Sequence, residues 1–287
     1  MIKLSIVIIN YNTFDLTTLC LTSIGKQYKK QLESSEFEII VVDNKSTDDS
    51  VESLKSAKGI ELVENKENYG FAKGANIGAA HAKGKYILFL NSDTEVKDGG
   101  FLDMISFLEE HIDVGILGGR LVNLDGSLQA STGKFYNPIN TFLMLFGGER
   151  AGFLRKSPTT IGSVDWVSGA AMMVKRDPFD RLGGFDEAFF MYVEDMELCF
   201  RAKKLGILTY FYPGVIVVHK ELGSGNKSFA IISIYKGLLH FYKKHANYVQ
   251  YIVVKSLLMT KALIAIILGV ITGDTYLTST YRKALLL

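Results

Sequence analysis

Three short apolar runs rich in β-branched residues each end on a polar cluster, and this repeat constrains the fold more than any other feature of the chain. Leu4 to Ile9 runs into Asn10-Tyr11-Asn12, Glu38 to Val42 into Asp43-Asn44, and Tyr86 to Leu90 into Asn91-Ser92-Asp93. Runs of this length and composition read as buried strands. Ile60 to Val63 is a shorter strand of the same kind. Helical segments alternate with them: Asp15 to Tyr28 with Thr13 as its cap, a helix start near Ser46 to Asp49, and Phe71 to Ala82 with the small-residue spacing of a packed helix. Strands alternating with helices predict an α/β domain with a mixed, mostly parallel central sheet. In such sheets ligands bind beyond the carboxyl ends of the strands, where the three polar clusters fall.

The second half changes character. Asp125-Gly126 within Leu121 to Leu128 signals a hairpin. Asn137 to Gly148 is an apolar insertion, Val164 to Val174 reads as a strand, and Glu194 to Leu205 as an amphipathic helix. Thr209 to His219 reads as two strands broken at Pro213-Gly214. The expected organisation is one catalytic domain over 1–225, with a nucleotide-binding half (1–120) and an acceptor half (121–225). An apolar helical extension follows over 226–287.

Forty-eight per cent hydrophobic residues over 287 suffice for one large core. A net charge of +2 gives no electrostatic case for a nucleic-acid partner, and none is expected. Cys20 and Cys199 match no zinc spacing and read as reduced, buried thiols. Asn10 cuts the first apolar run too short for a signal core, so the expected location is the cytoplasm, at the inner face of the cell membrane.

Five segments, in order, carry a resemblance. Ser5 to Asn12 (SIVIINYN), Val41 to Ser46 (VVDNKS), Asn68 to Asn76 (NYGFAKGAN), Leu88 to Thr94 (LFLNSDT) and Gly183 to Arg201 (GGFDEAFFMYVEDMELCFR) together resemble the inverting glycosyltransferases of family 2, and within them the rhamnosyltransferase-like branch. The resemblance spans roughly residues 3 to 220. It implies a GT-A fold, a nucleotide-sugar donor (dTDP-rhamnose, or a UDP-hexose), and a glycan or lipid-linked acceptor belonging to a cell-surface polysaccharide. It implies Mg²⁺ or Mn²⁺ as cofactor, held by Asp93 and His219. The family commonly carries Asp-X-Asp where this chain has Asn91-Ser92-Asp93; Asn91 removes one negative charge and leaves a contact to ribose or to a metal-bound water. The nucleotide-sugar site would comprise Tyr11, Asn12, Asp43, Asn68, Lys73, Asn76, Asn91, Ser92 and Asp93. Trp166, Ser168, Gly169, Tyr192 and Arg201 would face the acceptor. Asp195 would be the general base, with Glu194 beside it.

The residue chemistry stands beside that resemblance. A diphosphate leaving group calls for a divalent cation on carboxylate oxygen, which a strand-end Asp93 supplies. Inversion calls for one base, and the apolar run Phe189 to Tyr192 before Glu194-Asp195 would raise carboxylate basicity. Neutral imidazole at His219 is a competent metal ligand. Gly223-Ser224-Gly225 reads as a loop able to close over the donor. Each feature also has a plain structural reading: Asn-Ser-Asp as a turn, Asp43 as a turn residue, Glu194-Asp195 as helix-start acids, His219 and Trp166 as core. A nucleotidyltransferase is the second class, but Tyr11 to Asp15 lacks the glycine and cation that hold a triphosphate. A non-catalytic glycan- or membrane-binding protein of the same fold is the third.

In the tail, Tyr248 to Gly273 is strongly apolar but interrupted by Lys255 and Lys261, leaving Ala262 to Thr272 uninterrupted, too short to span. Lys236, Lys243, Lys244 and His245 with Tyr235, Phe241 and Tyr242 suit an interfacial helix. The expectation is peripheral membrane contact without a span, or packing of the tail on the domain or into a homodimer.

Overall fold

The computed structural model describes residues 1–148, 152–221 and 227–287. The first half follows the expected alternation: β1 (Leu4–Asn10), α1 (Phe14–Glu33), β2 (Phe37–Asp43), α2 (Ser50–Ser56), β3 (Glu61–Glu64), α3 (Gly70–His81), β4 (Tyr86–Asn91), β5 (Thr94–Val96) and α4 (Phe101–Glu110). The middle carries β6 (Val114–Val122), β7 (Leu128–Gln129), β8 (Thr132–Gly133), α5 (Pro138–Leu145), β9 (Arg155–Lys156), β10 (Gly162–Ser163), β11 (Trp166–Val167) and β12 (Ala171–Lys175). The chain continues through α6 (Arg176–Leu182), α7 (Glu194–Lys204) and β13 (Leu208–His219) to the helices α8 (Lys227–His245), α9 (Tyr248–Thr272) and α10 (Thr275–Leu285).

The central sheet has the order β10-β13-β6-β12-β4-β1-β2-β3. β4, β1, β2 and β3 are mutually parallel, with Asn10 beside Asp43 and Ile9 beside Asn91. That register puts the three polar clusters on one edge. β12 lies antiparallel between β4 and β6, which makes the sheet mixed. The strands are apolar on both faces because a core covers each: one beneath α1 and α4, the other beneath α3, α7 and α8. Cys20 and Cys199 are buried in these two cores, and burial pushes both thiols up to about 12, which leaves them unreactive.

Three local expectations are corrected. Val164 to Val174 is not one strand: Ser168 to Ala170 turns between β11 and β12, because β11 pairs with β8 in a second small sheet while β12 joins the central one. Thr209 to His219 is one strand, not two; Pro213-Gly214 is absorbed as a bulge, with the register slipping between Tyr212 and Ile216. Thr13 precedes α1 but its hydroxyl does not cap the helix, since it donates to Asn10 Oδ1 at 2.9 Å.

Helix α8 is held by buried charge. Glu197, whose side chain is 0% exposed, accepts from Arg201 on its own helix and from Lys244 (2.9 Å) and His245 (2.8 Å) on α8. Asp186 accepts from Lys244 and His240. Burial alone would raise both carboxyls, but the Arg201 and Lys244 charges and the hydrogen bonds each carboxylate accepts overcome it and hold Glu197 and Asp186 below the usual carboxylate range. Groups depressed in the fold stabilise it above their unfolded pKa of about 4, and that stabilisation is lost as pH falls through and below that value. Glu197→Gln takes the shared carboxylate from Arg201 and Lys244, which keep only their partners at Leu182, Gly184 and Asp186, so unfolding free energy should drop by about 1–3 kcal/mol at neutral pH, with the gap to wild type narrowing below about pH 4. Denaturant melts across pH check this; an unchanged midpoint at neutral pH contradicts it.

Candidate active site

The carboxyl ends of β1 and β4 open into a cavity of about 810 Å³. One wall comes from strand ends: Tyr11, Thr13, Asn44, Asn68, Asn91, Ser92, Asp93 and His219. The rest of the lining includes residues from the second half of the chain: Trp166, Gly169, Tyr192, Glu194, Asp195 and Arg155. Residues far apart in sequence thus converge as the resemblance implies.

The acid pair sits where it does because of an unusual turn. Tyr192 and Val193 both have left-handed backbones, φ +69° and +74°, immediately before α7. For a β-branched valine this conformation is strongly disfavoured, costing about 1–3 kcal/mol. It is held from below by Gly70, whose own φ is +77° and whose missing side chain leaves room for the Phe190 carbonyl; the Phe71 N–H donates to that carbonyl at 2.7 Å. The turn starts α7 at Glu194-Asp195 and aims both acids at the cavity.

Asp195 is fixed by two backbone donors. The Gly169 N–H donates to Oδ2 at 3.1 Å and the Met196 N–H to Oδ1 at 2.7 Å. The break at Ser168 to Ala170 is what frees the Gly169 N–H for this contact. Glu194 is 6% exposed, and among the described residues its Oε2 meets no partner. Burial, with the neighbouring Asp195 charge, pushes Glu194 well above the usual range. Burial raises Asp195 too, but its two N–H donors and the Arg155 charge oppose the rise. Burial thus raises both carboxyls of the pair, and the N–H donors and the Arg155 charge act on Asp195 alone.

On the strand-end wall, Asp93 Oδ1 and His219 Nε2 face each other at 3.4 Å, with side chains 5% and 14% exposed. His219 Nδ1 lies 2.7 Å from Gln129 Oε1. An amide oxygen only accepts, so Nδ1 donates to it and Nε2 is the ring nitrogen turned toward Asp93. Asn91 Nδ2 stands 3.3 Å from the same nitrogen. A carboxylate and an imidazole nitrogen aimed together fit a divalent cation. Among the described residues no group of three or more Asp, Glu, His or Cys side chains converges there, so further coordination would come from substrate or water.

Several expected residues lie elsewhere. Asp43 is buried and absent from the cavity wall; its oxygens accept from Asn10 Nδ2 (2.7 Å), Ser46 N (2.8 Å) and Ser46 Oγ (2.6 Å), which makes it the brace of the β1–β2 loops. Asn12, with φ +52°, accepts from the Thr47 N–H beside the cavity rather than in it. Lys73 lies over the Tyr69 ring at 4.1 Å, and Asn76 clamps α3 to Phe185 through both its amide groups. Arg201 does not reach the acids: its guanidinium is taken by both Glu197 oxygens and by the Leu182 and Gly184 carbonyls. Trp166 is buried, with Nε1 donating to the Lys134 carbonyl, and shows only its edge to the cavity. Gly223-Ser224-Gly225 lies outside the described residues. Arg155 was missed; it has no motif around it, and only the pairing of β9 with β8 brings it over Trp166 and toward Asp195.

The acid limb of kcat/KM should lie above the usual carboxylate range, activity falling as pH drops through the raised pKa of the pair. Arg155→Gln removes a charge that favours the Asp195 carboxylate, so the limb should move to still higher pH. A limb that stays put in the variant contradicts the electrostatic role of Arg155.

The sequence matches the family described as Glycosyl transferase family 2 over residues 5–183. It is 28% identical over 205 residues to "Rhamnosyltransferase WbbL" of Escherichia coli (strain K12), a match covering 67% of this chain and 77% of that protein. It is 25% identical over 213 residues to "N-acetylglucosaminyl-diphospho-decaprenol L-rhamnosyltransferase" of Mycobacterium tuberculosis (strain H37Rv), covering 65% of this chain and 67% of the other. Among solved structures, the mannosyltransferase PcManGT from Pyrobaculum calidifontis in complex with GDP-Man and Mn²⁺ superposes with a TM-score of 0.59 at 18% identity, over 99% of this chain and 86% of that one. That likeness shows the fold, a GT-A arrangement with a mixed, mostly parallel sheet.

Proposed function

The chain belongs to glycosyl transferase family 2, and from that premise we propose that it inverts an anomeric centre while moving a sugar from a nucleoside diphosphate to a hydroxyl of a lipid-linked glycan. The observation that carries this reading is one cavity lined both by Asp195, fixed by two N–H donors, and by the Asn91 to Asp93 turn with His219. The rhamnosyltransferases among its relatives support rhamnose from dTDP-rhamnose as the donor sugar, with a UDP-hexose next.

In this reading Tyr11, Asn68, Asn91 and Ser92 receive the nucleotide, and Asp43, Asn12, Lys73 and Asn76 hold the loops that present them. Asp93 and His219 would hold Mg²⁺ or Mn²⁺, which when bound neutralises charge on a diphosphate leaving group. Asp195 takes the proton of the acceptor hydroxyl, whose oxygen attacks the anomeric carbon from the face opposite the leaving diphosphate. Glu194, kept protonated, donates a hydrogen bond to the acceptor from Oε2. Trp166, Gly169, Tyr192 and Arg155 shape the acceptor side. A nucleotidyltransferase is disfavoured because the turn after β1 offers Tyr11 and Thr13 where a triphosphate needs glycine amides and cations.

A panel of nucleotide sugars tests the reading. One donor, dTDP-rhamnose first, should release its nucleoside diphosphate slowly alone and faster with a lipid-linked acceptor. Chelator should abolish release, and Asp93→Ala or His219→Ala should raise the Mn²⁺ needed for half-maximal rate by about tenfold or more. No release from any sugar donor overturns the reading; full activity in excess chelator removes the metal from it.

A further inference from the structure

Helix α9 has 25 residues, and an 18-residue stretch of it reaches a mean hydropathy of 2.1, so by length and composition it is apolar enough to cross a membrane. Its packing describes a different posture. Val254, Leu258, Ala262, Ala265 and Gly269 are buried along its whole length, and α5, α8 and α10 pack against it. A crossing would strip this row from the body of the protein, at about 25 cal/mol for every Å² exposed to water. The opposite face is bare: Ile252, Leu263, Ile264, Ile267, Leu268 and Ile271 are each at least 40% exposed.

This bare face continues onto α5. Ile139, Phe142 and Phe146 are exposed at helical spacing, and the Lys261 ammonium lies over the Phe146 ring at 5.6 Å, tying the two helices into one surface. The other side of α5 looks inward. Met144 lines the cavity, and Thr141 Oγ1 meets the buried Tyr242 hydroxyl at 2.9 Å. One short helix is thus both cavity wall and exposed apolar surface.

Charge selects the occupant of that surface. Residues 227–287 hold eight of the chain's 32 Lys and Arg but, in Asp274, one of its 30 acids. Neither α5 nor α9 contains an acid. At 3.6 residues per turn, Lys255 and Lys261 fall on opposite edges of the bare stripe, where their stems cover apolar surface and their ammonium groups reach outward. A second copy of the chain would bring the same cations against themselves, whereas an anionic bilayer surface complements them. An apolar stripe flanked by lysines, on a helix anchored along its back, is the pattern of a helix lying in the headgroup layer.

We propose that α5 and α9 rest in the headgroup region of an anionic membrane and set the mouth of the cavity at its surface. The membrane contact stands on these helices alone; that a lipid-linked acceptor enters beside α5 rests on the proposed function.

The test is flotation of the full chain with vesicles of phosphatidylcholine, with or without phosphatidylglycerol. The protein should float with the mixed vesicles, less so as salt rises, and stay unbound to phosphatidylcholine alone. The Ile264→Asp/Ile267→Asp variant should stay unbound while keeping its melting temperature and its rate on a water-soluble acceptor. Lys255→Gln and Lys261→Gln should each weaken partitioning about fivefold. No flotation, flotation indifferent to these four positions, or a solution dimer that the double Asp variant turns to monomer overturns the proposal. Flotation needs neither donor nor acceptor, so a failed donor panel leaves this result standing.

Discussion

The buried carboxylate of Glu197 is the interaction on which the acceptor side of the molecule depends. Its side chain is fully enclosed, yet it faces Arg201, Lys244 and His245. Arg201 carries the link to the Leu182 and Gly184 carbonyls, and Lys244 carries it to Asp186. One group thereby joins α7, the segment before it and α8. Asp195 lies two residues away on the same helix, so the position of its carboxylate is set by a charge network whose members do not line the cavity. Buried ion pairs are weak evidence of net stability, but breaking one is costly, which suits a device that fixes geometry.

That rigidity lets the chain hold a strained turn. Tyr192 and Val193 persist in left-handed conformations because Gly70 admits the Phe190 carbonyl and α8 closes over Val193 from the other side. The product is an acid pair with divided roles. Burial pushes Glu194 well above the usual carboxylate range, and raises Asp195 against the opposing pull of Gly169, Met196 and the field of Arg155. At the Asn91 to Asp93 turn, Gln129 fixes the His219 ring so that Nε2 faces the Asp93 carboxylate.

The sequence made the strand-end half of this legible because its signals are local. β1, β2 and β4 are apolar runs that stop on polar residues, and a parallel register aligns those stops on one edge. Asp195 was legible through the ordered family resemblance. The tertiary half was hidden. The i,i+4 spacing of Glu197 and Arg201 was available and would have assigned Arg201 to its own helix rather than to the acceptor. Lys244 and His245 read as interfacial because their partners Glu197 and Asp186 lie 47 to 58 residues upstream. Arg155 sits in a segment with no periodicity, and Asp43 looked like a ligand because nothing in the sequence shows that Asn10 and Ser46 fill its oxygens. The basic-aromatic pattern of the tail lies wholly in α8, whose Tyr235, Phe241 and Tyr242 turn to the core, and the bare apolar face belongs to α9.

The central claim is that Asp195 is the base of an inverting sugar transfer. Replacing it with asparagine keeps the shape and, through the single amide oxygen, one of the two N–H contacts, while removing the proton acceptor. Donor affinity measured by calorimetry together with the transfer rate decides the matter. The account predicts affinity within about twofold of wild type and transfer reduced about 10²–10⁴-fold. Near-normal transfer by Asp195→Asn, with donor bound as before, would contradict it.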